Sequence, residues 1–195
     1  MSKAGELKRC AWCGDDPLYV KYHDKEWGVP VHNDKKLFEF IILEGAQAGL
    51  SWITVLKKRT AYREAFDNFD FNKVARYNAR KIQSLLNNPG IIRNRLKVHS
   101  AVQNANAFIE VRKEFGTFNK YIWSFVGGKA IQNRYKQMSD LPVKTDLSDT
   151  ISRDLKKRGF NFVGSTIVYA HMQATGMVND HVTGCFRYKD IKNLS

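Results

Sequence analysis

Leu37, Phe38, Ile41 and Ile42 recur at helical spacing, which predicts an amphipathic helix with Glu44 near its end. Gly49 can close that helix, since glycine takes left-handed backbone angles without steric cost. Ser51 is then a credible N-cap for a second helix from Trp52 to Phe66 that carries Ile53, Val55 and Leu56. The same periodicity predicts helices over Asn78 to Asn87 and, after a tight turn at Pro89-Gly90, from Arg93 to Phe115. Asn119 to Val126, Ser148 to Lys157 and Phe162 to Met177 complete the set, the last apolar enough to be central. Alternating polar and apolar runs are absent, so the fold class expected is all-α.

Two stretches break the pattern. From Arg9 to Pro30, Cys10, Trp12, Cys13, Tyr19, Tyr22, His23 and Trp27 crowd a segment with too little periodicity for a long helix, so something other than regular secondary structure is expected to hold it. The second is Leu43 to Trp52, where a carboxylate, two glycines, an outward-looking leucine and a tryptophan share one corner between two helices. Each residue alone reads as ordinary core or surface. Together they read as an active site, with Leu50 lifted outward and Glu44 and Trp52 on its flanks.

The 195 residues suit one domain over 9–195, with room for two lobes and a site between them, preceded by a flexible tail over 1–8. Lysine and arginine number 32 against 19 acidic residues, a formal charge of +13 that favours a polyanionic partner. No run of about 18 apolar residues suits a membrane span, and the first residues lack a signal peptide's apolar core, so the expected location is the cytoplasm. Three cysteines make no disulfide framework and favour metal binding. Cys10, Cys13, His23, His181 and Cys185 are five soft or borderline ligands in two clusters, and His181 and Cys185, four apart, would fall on one face of a helical turn. Four of them could close a structural zinc tetrahedron stapling the two ends of the chain. Spacing favours the Cys10 and Cys13 pair, while a redox role for that pair lacks the βαβ context it requires. His32, His99 and His171 have no ligand partners at useful spacing.

The Leu43 to Trp52 corner, Tyr22 to Gly28 (Tyr-His-Asp-Lys-Glu-Trp-Gly) and Asn179 to Val182 (Asn-Asp-His-Val) resemble the DNA-3-methyladenine glycosylase I family, from about Arg9 to Cys185. The turn at Asn88 to Ile92 likewise resembles the hairpin of the helix-hairpin-helix glycosylase superfamily, although Ile92 stands where the commoner turn has a second glycine. The resemblance implies a monofunctional hydrolase that cuts 3-methyladenine from alkylated double-stranded DNA as a monomer, with water as nucleophile. It assigns zinc to Cys10, His23, His181 and Cys185 and leaves Cys13 out.

Base excision from a duplex requires the nucleotide to be flipped out of the stack. On this reading Leu50 wedges into the vacated space with Gln47 beside it, and Trp12 and Trp52 stack on the base. Tyr19 and Tyr22, one turn apart if helical, complete the wall, and Glu44 accepts hydrogen bonds from the adenine edge. Gly90, Arg93, Arg95 and Lys97 meet phosphate. Whether Glu44 also acts in the chemical step stays open, and Asp180 is a nominal candidate for the aspartate other superfamily members use. A zinc-containing nucleic-acid-binding protein without catalysis is the rival reading.

Overall fold

The computed structural model describes residues 7–194. Its helices are α1 (Pro17–Lys25), α2 (Asp34–Gln47), α3 (Trp52–Ala65), α4 (Phe71–Val74), α5 (Ala79–Asn87), α6 (Arg95–Phe115), α7 (Phe118–Ser124), α8 (Asp146–Lys157), α9 (Ser165–Ala174) and α10 (Arg187–Lys192). The all-α expectation holds, with one addition: strands β1 (Ile131–Gln132) and β2 (Val178–Asn179) pair in parallel over two residues each. A pairing that short has no sequence periodicity to betray it. Within the described residues no helix is long and apolar enough to cross a membrane. Of the tail expected over 1–8, residues 1–6 lie outside the described part, and the Lys8 carbonyl accepts from Phe186 N at 2.9 Å.

The organising element is α2, buried without interruption from Leu37 to Ala46 and packed against α3, α6, α7 and α9. Its Phe38 meets Phe108 of α6 edge-on with centroids 5.2 Å apart, and Phe108 stacks on Phe118 of α7 at 4.2 Å. Each such buried ring contributes about 1.5–3 kcal/mol. A helix this enclosed can position a side chain accurately, because its own rotations are blocked on every side.

The Arg9 to Pro30 segment is more regular than its pattern suggests: nine of its residues form α1. Local start signals explain this, since Asp16 caps Leu18 N and Pro17 occupies the first turn, where a missing N–H costs nothing. The helix beginning expected at Arg93 starts at Arg95 instead, because Asn94 is its cap and accepts from Lys97 N at 3.1 Å. At Gly90 a Cβ would sit 2.8 Å from the Ala61 Cβ, so close approach of the hairpin to α3 requires glycine.

Candidate active site

The corner after α2 is built much as its residues suggest. The helix ends at Gln47, Gly49 adopts φ +77°, and Leu50 emerges 41% exposed. Ser51 holds the N-cap position of α3 in extended geometry, but its Oγ pairs with Thr54 Oγ1 at 2.7 Å rather than with a backbone N–H. The Lys97 ammonium fastens the corner, donating to the Ala46 carbonyl at 2.8 Å and the Ala48 carbonyl at 2.6 Å. A lysine at a helix C-terminus offsets the dipole and satisfies orphan carbonyls. Lys97, grouped on sequence with the phosphate contacts, therefore spends two of its three N–H donors inside the protein. Arg93 and Arg95 are exposed, and the backbone N–H groups of Arg93, Arg95 and Leu96 have no partner among the described residues.

Inside the corner lies a cavity of about 220 Å³. Trp12, Tyr19, Tyr22, Glu44, Gln47 and Trp52 all line it, together with Trp27. Met138, Leu141 and three residues of α9, Ala170, Gln173 and Ala174, complete the lining. Because α1 is a helix, Tyr19 and Tyr22 do stand one turn apart. Trp12 packs against Tyr19 with centroids 4.9 Å apart and Trp27 at 5.0 Å, and Tyr22 against Trp52 at 5.4 Å. Behind Trp52, Phe40 stacks at 6.4 Å, and the Arg59 guanidinium lies 5.3 Å from the centre of the Phe40 ring. Arg59 is itself held by Glu39 at 2.7 Å and Glu26 at 2.8 Å. The aromatic wall is thus backed by a buried ion-pair network, a pre-organised surface that costs little to present to a ring.

Glu44 is 4% exposed and makes no hydrogen bond among the described residues. Burial pushes its carboxyl up to about 8, and the Arg59 charge pulls it partly back. The indole N–H groups of Trp12 and Trp52 are also buried without partners. Three polar groups left unsatisfied around one cavity is a costly arrangement for a merely structural core. It suits a ligand that supplies the missing partners.

Below α1, one ligand atom from each of Cys10, His23, His181 and Cys185 lies within 4.8 Å of the others, and all four residues are buried. His23 turns its Nδ1 to Asp24 at 2.7 Å and its Nε2 toward Cys185 Sγ at 3.5 Å. His181 turns Nε2 to the Trp27 carbonyl at 3.1 Å and Nδ1 toward Cys10 Sγ and Cys185 Sγ, both at 3.6 Å. Each imidazole is oriented by an outer acceptor while its other nitrogen faces the cluster, as metal-ligating histidines require. Cys185 is held well below its ordinary range, chiefly by the hydrogen bond from Cys10 and then by the two imidazoles, while Cys10 is raised by that same bond and by burial. These residues can hold a metal. Cys13 stands apart, its Sγ directed to the Cys10 carbonyl at 3.2 Å, so the spacing argument for a Cys10 and Cys13 pair is not what the fold assembles.

Asp180 is 1% exposed, and its oxygens receive Tyr169 Oη at 2.6 Å, Asn133 Nδ2 at 2.7 Å and Gln173 Nε2 at 2.8 Å. Three donors hold this carboxylate, and Asp180 is not among the residues that line the cavity. Trp27 and Gln173 are cavity residues that sequence reasoning did not single out. Trp27 belongs to the quoted Tyr22 to Gly28 motif, and Gln173 is a polar residue within an apolar helix, so each carried a signal.

The family model described as Methyladenine glycosylase matches residues 12–188. The chain is 50% identical to DNA-3-methyladenine glycosylase 1 of Escherichia coli (strain K12), over 93% of this chain and 97% of that protein. Among solved structures, a crystal structure of a 3-methyladenine DNA glycosylase I superposes with TM-score 0.90 at 49% identity, covering 92% of this chain and 98% of the other. The Staphylococcus aureus glycosylase I, solved for the structural basis of 3-methyladenine recognition, superposes with TM-score 0.90 at 38% identity, covering 93% and 97%.

Proposed function

The chain belongs to the methyladenine glycosylase family, and from that premise we propose that it hydrolyses the N-glycosidic bond of 3-methyladenine in alkylated double-stranded DNA, acting as a cytoplasmic monomer. The observation that supports this reading best is the cavity in which the unpartnered Glu44 faces an aromatic wall. At about 220 Å³ it is smaller than the roughly 300–1,000 Å³ of drug-sized sites and suits a single base. Trp12, Tyr19, Tyr22 and Trp52 enclose the flipped ring, and Glu44 pairs with its polar edge. 3-Methyladenine in DNA is cationic, so π-faces and a nearby carboxylate favour it over an undamaged base. A cationic leaving group also needs little protonation, which leaves binding and exclusion of water as the protein's main work. Leu50 and Gln47 occupy the duplex face of the corner and fill the space the base leaves.

The metal cluster takes zinc on this reading, since two thiolates and two imidazoles form the donor set of a closed structural site. When bound, the ion supplies a cross-link rather than a reactive centre. Cys10, His23, His181 and Cys185 would hold it and so tie the segment bearing Trp12, Tyr19 and Tyr22 to the end of the chain.

Wild-type protein incubated with alkylated duplex is expected to release free 3-methyladenine. DNA binding without any released base would favour the non-catalytic rival.

The raised Glu44 carboxyl predicts a pH dependence. In the empty site it holds a proton at neutral pH, and a cation beside it lowers its pKa, so binding a cation releases that proton. Affinity for a fixed cation such as 3,9-dimethyladeninium is expected to rise with pH below about 8, approaching tenfold per unit, and to level above it. Tyr19 and Tyr22 are raised above their usual range by burial and do not ionise in this window. Titration calorimetry of wild type and Glu44→Gln checks this, with the variant expected to be flat; an equal slope in both would place the titrating group elsewhere.

Arg93 and Arg95 are proposed to meet phosphates, with the free N–H groups at the start of α6 and the Gly90 turn alongside. Replacing both with glutamine is expected to weaken binding to every duplex alike and to flatten log K against log salt by about 0.9 for each phosphate no longer neutralised. An unchanged slope would move the DNA-binding face away from this hairpin.

A further inference from the structure

Of the three residues α9 brings to the cavity, only Gln173 carries side-chain hydrogen-bonding groups. Its amide approaches Asp180 Oδ2 at 2.8 Å, an oxygen that also receives the Tyr169 hydroxyl at 2.6 Å. Asn133 occupies Asp180 Oδ1 at 2.7 Å, and Asp180 itself is 1% exposed. A carboxylate offers acceptors only, so the half of the Gln173 amide that faces it has to be the NH2. Amide orientation is ordinarily inferred by fit. Here the chemistry of Asp180 dictates it. The Oε1 is turned away from Asp180 and has no hydrogen-bond partner among the described residues.

We infer that Gln173 Oε1 is an acceptor that reads the amino group on C6 of the bound purine, with Asp180 as the residue that positions it. The inference rests on the glycosylase reading and sharpens it into a basis for choosing adenine over guanine. Adenine carries an N6 amino donor where guanine carries the O6 acceptor. An amino group has two N–H bonds, and Glu44 and Gln173, which both line the cavity, can take one each. The two acceptors are not equivalent. Toward a neutral free base Glu44 keeps its proton and can rotate to present either a donor or an acceptor, so by itself it tolerates a carbonyl. Gln173 is denied that freedom by Asp180, and a 6-oxo purine would set its oxygen against Oε1. Sites built to pair a polar group discriminate strongly against the ligand that leaves it unpaired.

The test follows pocket tryptophan fluorescence as wild type, Gln173→Met and Asp180→Asn are titrated with 3-methyladenine and with 3-methylhypoxanthine, which differs in having a carbonyl on C6. Wild type is expected to prefer the amino base. In Gln173→Met that preference should shrink about 5- to 10-fold, the worth of one net hydrogen bond. Asp180→Asn should produce a similar fall with Gln173 intact, because an asparagine can present either amide end and lets Gln173 turn over. Zinc content and melting temperature of both variants show that the pocket survives. A ratio unchanged from wild type in both variants overturns the inference; a fall in Gln173→Met alone overturns the positioning role of Asp180. Failure of wild type to bind 3-methyladenine at all defeats the glycosylase reading itself, and this inference with it.

Discussion

If the proposed zinc site is correct, the Cys10→Ser protein is expected to bind no zinc and to melt about 10 °C lower than wild type. Four buried ligand atoms within 4.8 Å of one another form a cross-link between residues 10 and 185 when an ion joins them. Serine oxygen is a poor substitute for a thiolate toward zinc, and three remaining ligands leave the site open. Losing a structural metal belongs to the small class of changes that cost about 4 kcal/mol or more. A domain of this size melts about 2–4 °C lower for each kcal/mol, which gives a shift of that order. The Cys13→Ser protein is the matched control. Its Sγ only reaches the Cys10 carbonyl, at 3.2 Å, and a hydroxyl can donate there equally well, so the expected change is within about 1 kcal/mol. Zinc analysis beside thermal melts of both variants checks the pair. A full zinc equivalent retained by Cys10→Ser would mean the metal sits on other ligands.

Much of this architecture was legible in sequence because it is local. A 3.6-residue period over Leu37 to Ile42, a glycine at 49 and a Pro-Gly pair at 89 each dictate backbone geometry within a few residues, and the corner and hairpin follow. The cavity is different in kind. That Trp12, Tyr22, Glu44 and Trp52 surround one space depends on α1, α2 and α3 meeting, which no short-range pattern encodes; family resemblance supplied that grouping. What stayed hidden was long-range and polar. Arg59 drew no notice in sequence, and only the fold shows Glu39 and Glu26 around it. Lys97 reads as one more basic residue after the hairpin, and only the fold shows its ammonium on the carbonyls of the corner, 51 and 49 residues away in sequence. The short α1 was foreseen only conditionally, through Tyr19 and Tyr22, for the opposite reason: its start signals, Asp16 and Pro17, are local but lie in a stretch dominated by aromatics and ligands.

The largest functional effects are expected at the corner, and they should separate into two kinds. Trp52→Ala removes a ring from the cavity wall and is expected to lose about 1–3 kcal/mol of base binding, with excision falling at least as far. Glu44→Gln keeps the shape of the site but replaces a group able to become a carboxylate with a neutral amide, so binding of a cationic base and its excision are both expected to suffer. Leu50→Ala leaves the aromatic cavity intact, because the side chain is 41% exposed at the tip of the corner and lines only the adjoining recess, not the cavity walled by Trp12, Tyr22 and Trp52. Its free-base affinity should match wild type while excision from duplex DNA drops, since the proposed wedge is gone. The most direct measurement is therefore free 3-methyladenine affinity by calorimetry set beside single-turnover excision from alkylated duplex, for wild type and these three variants. Trp52→Ala and Glu44→Gln are expected to fall in at least one assay while Leu50→Ala falls in excision alone. Wild-type values in both assays for Trp52→Ala and Glu44→Gln would contradict this assignment of the site, because the corner would then be core and the base would bind elsewhere.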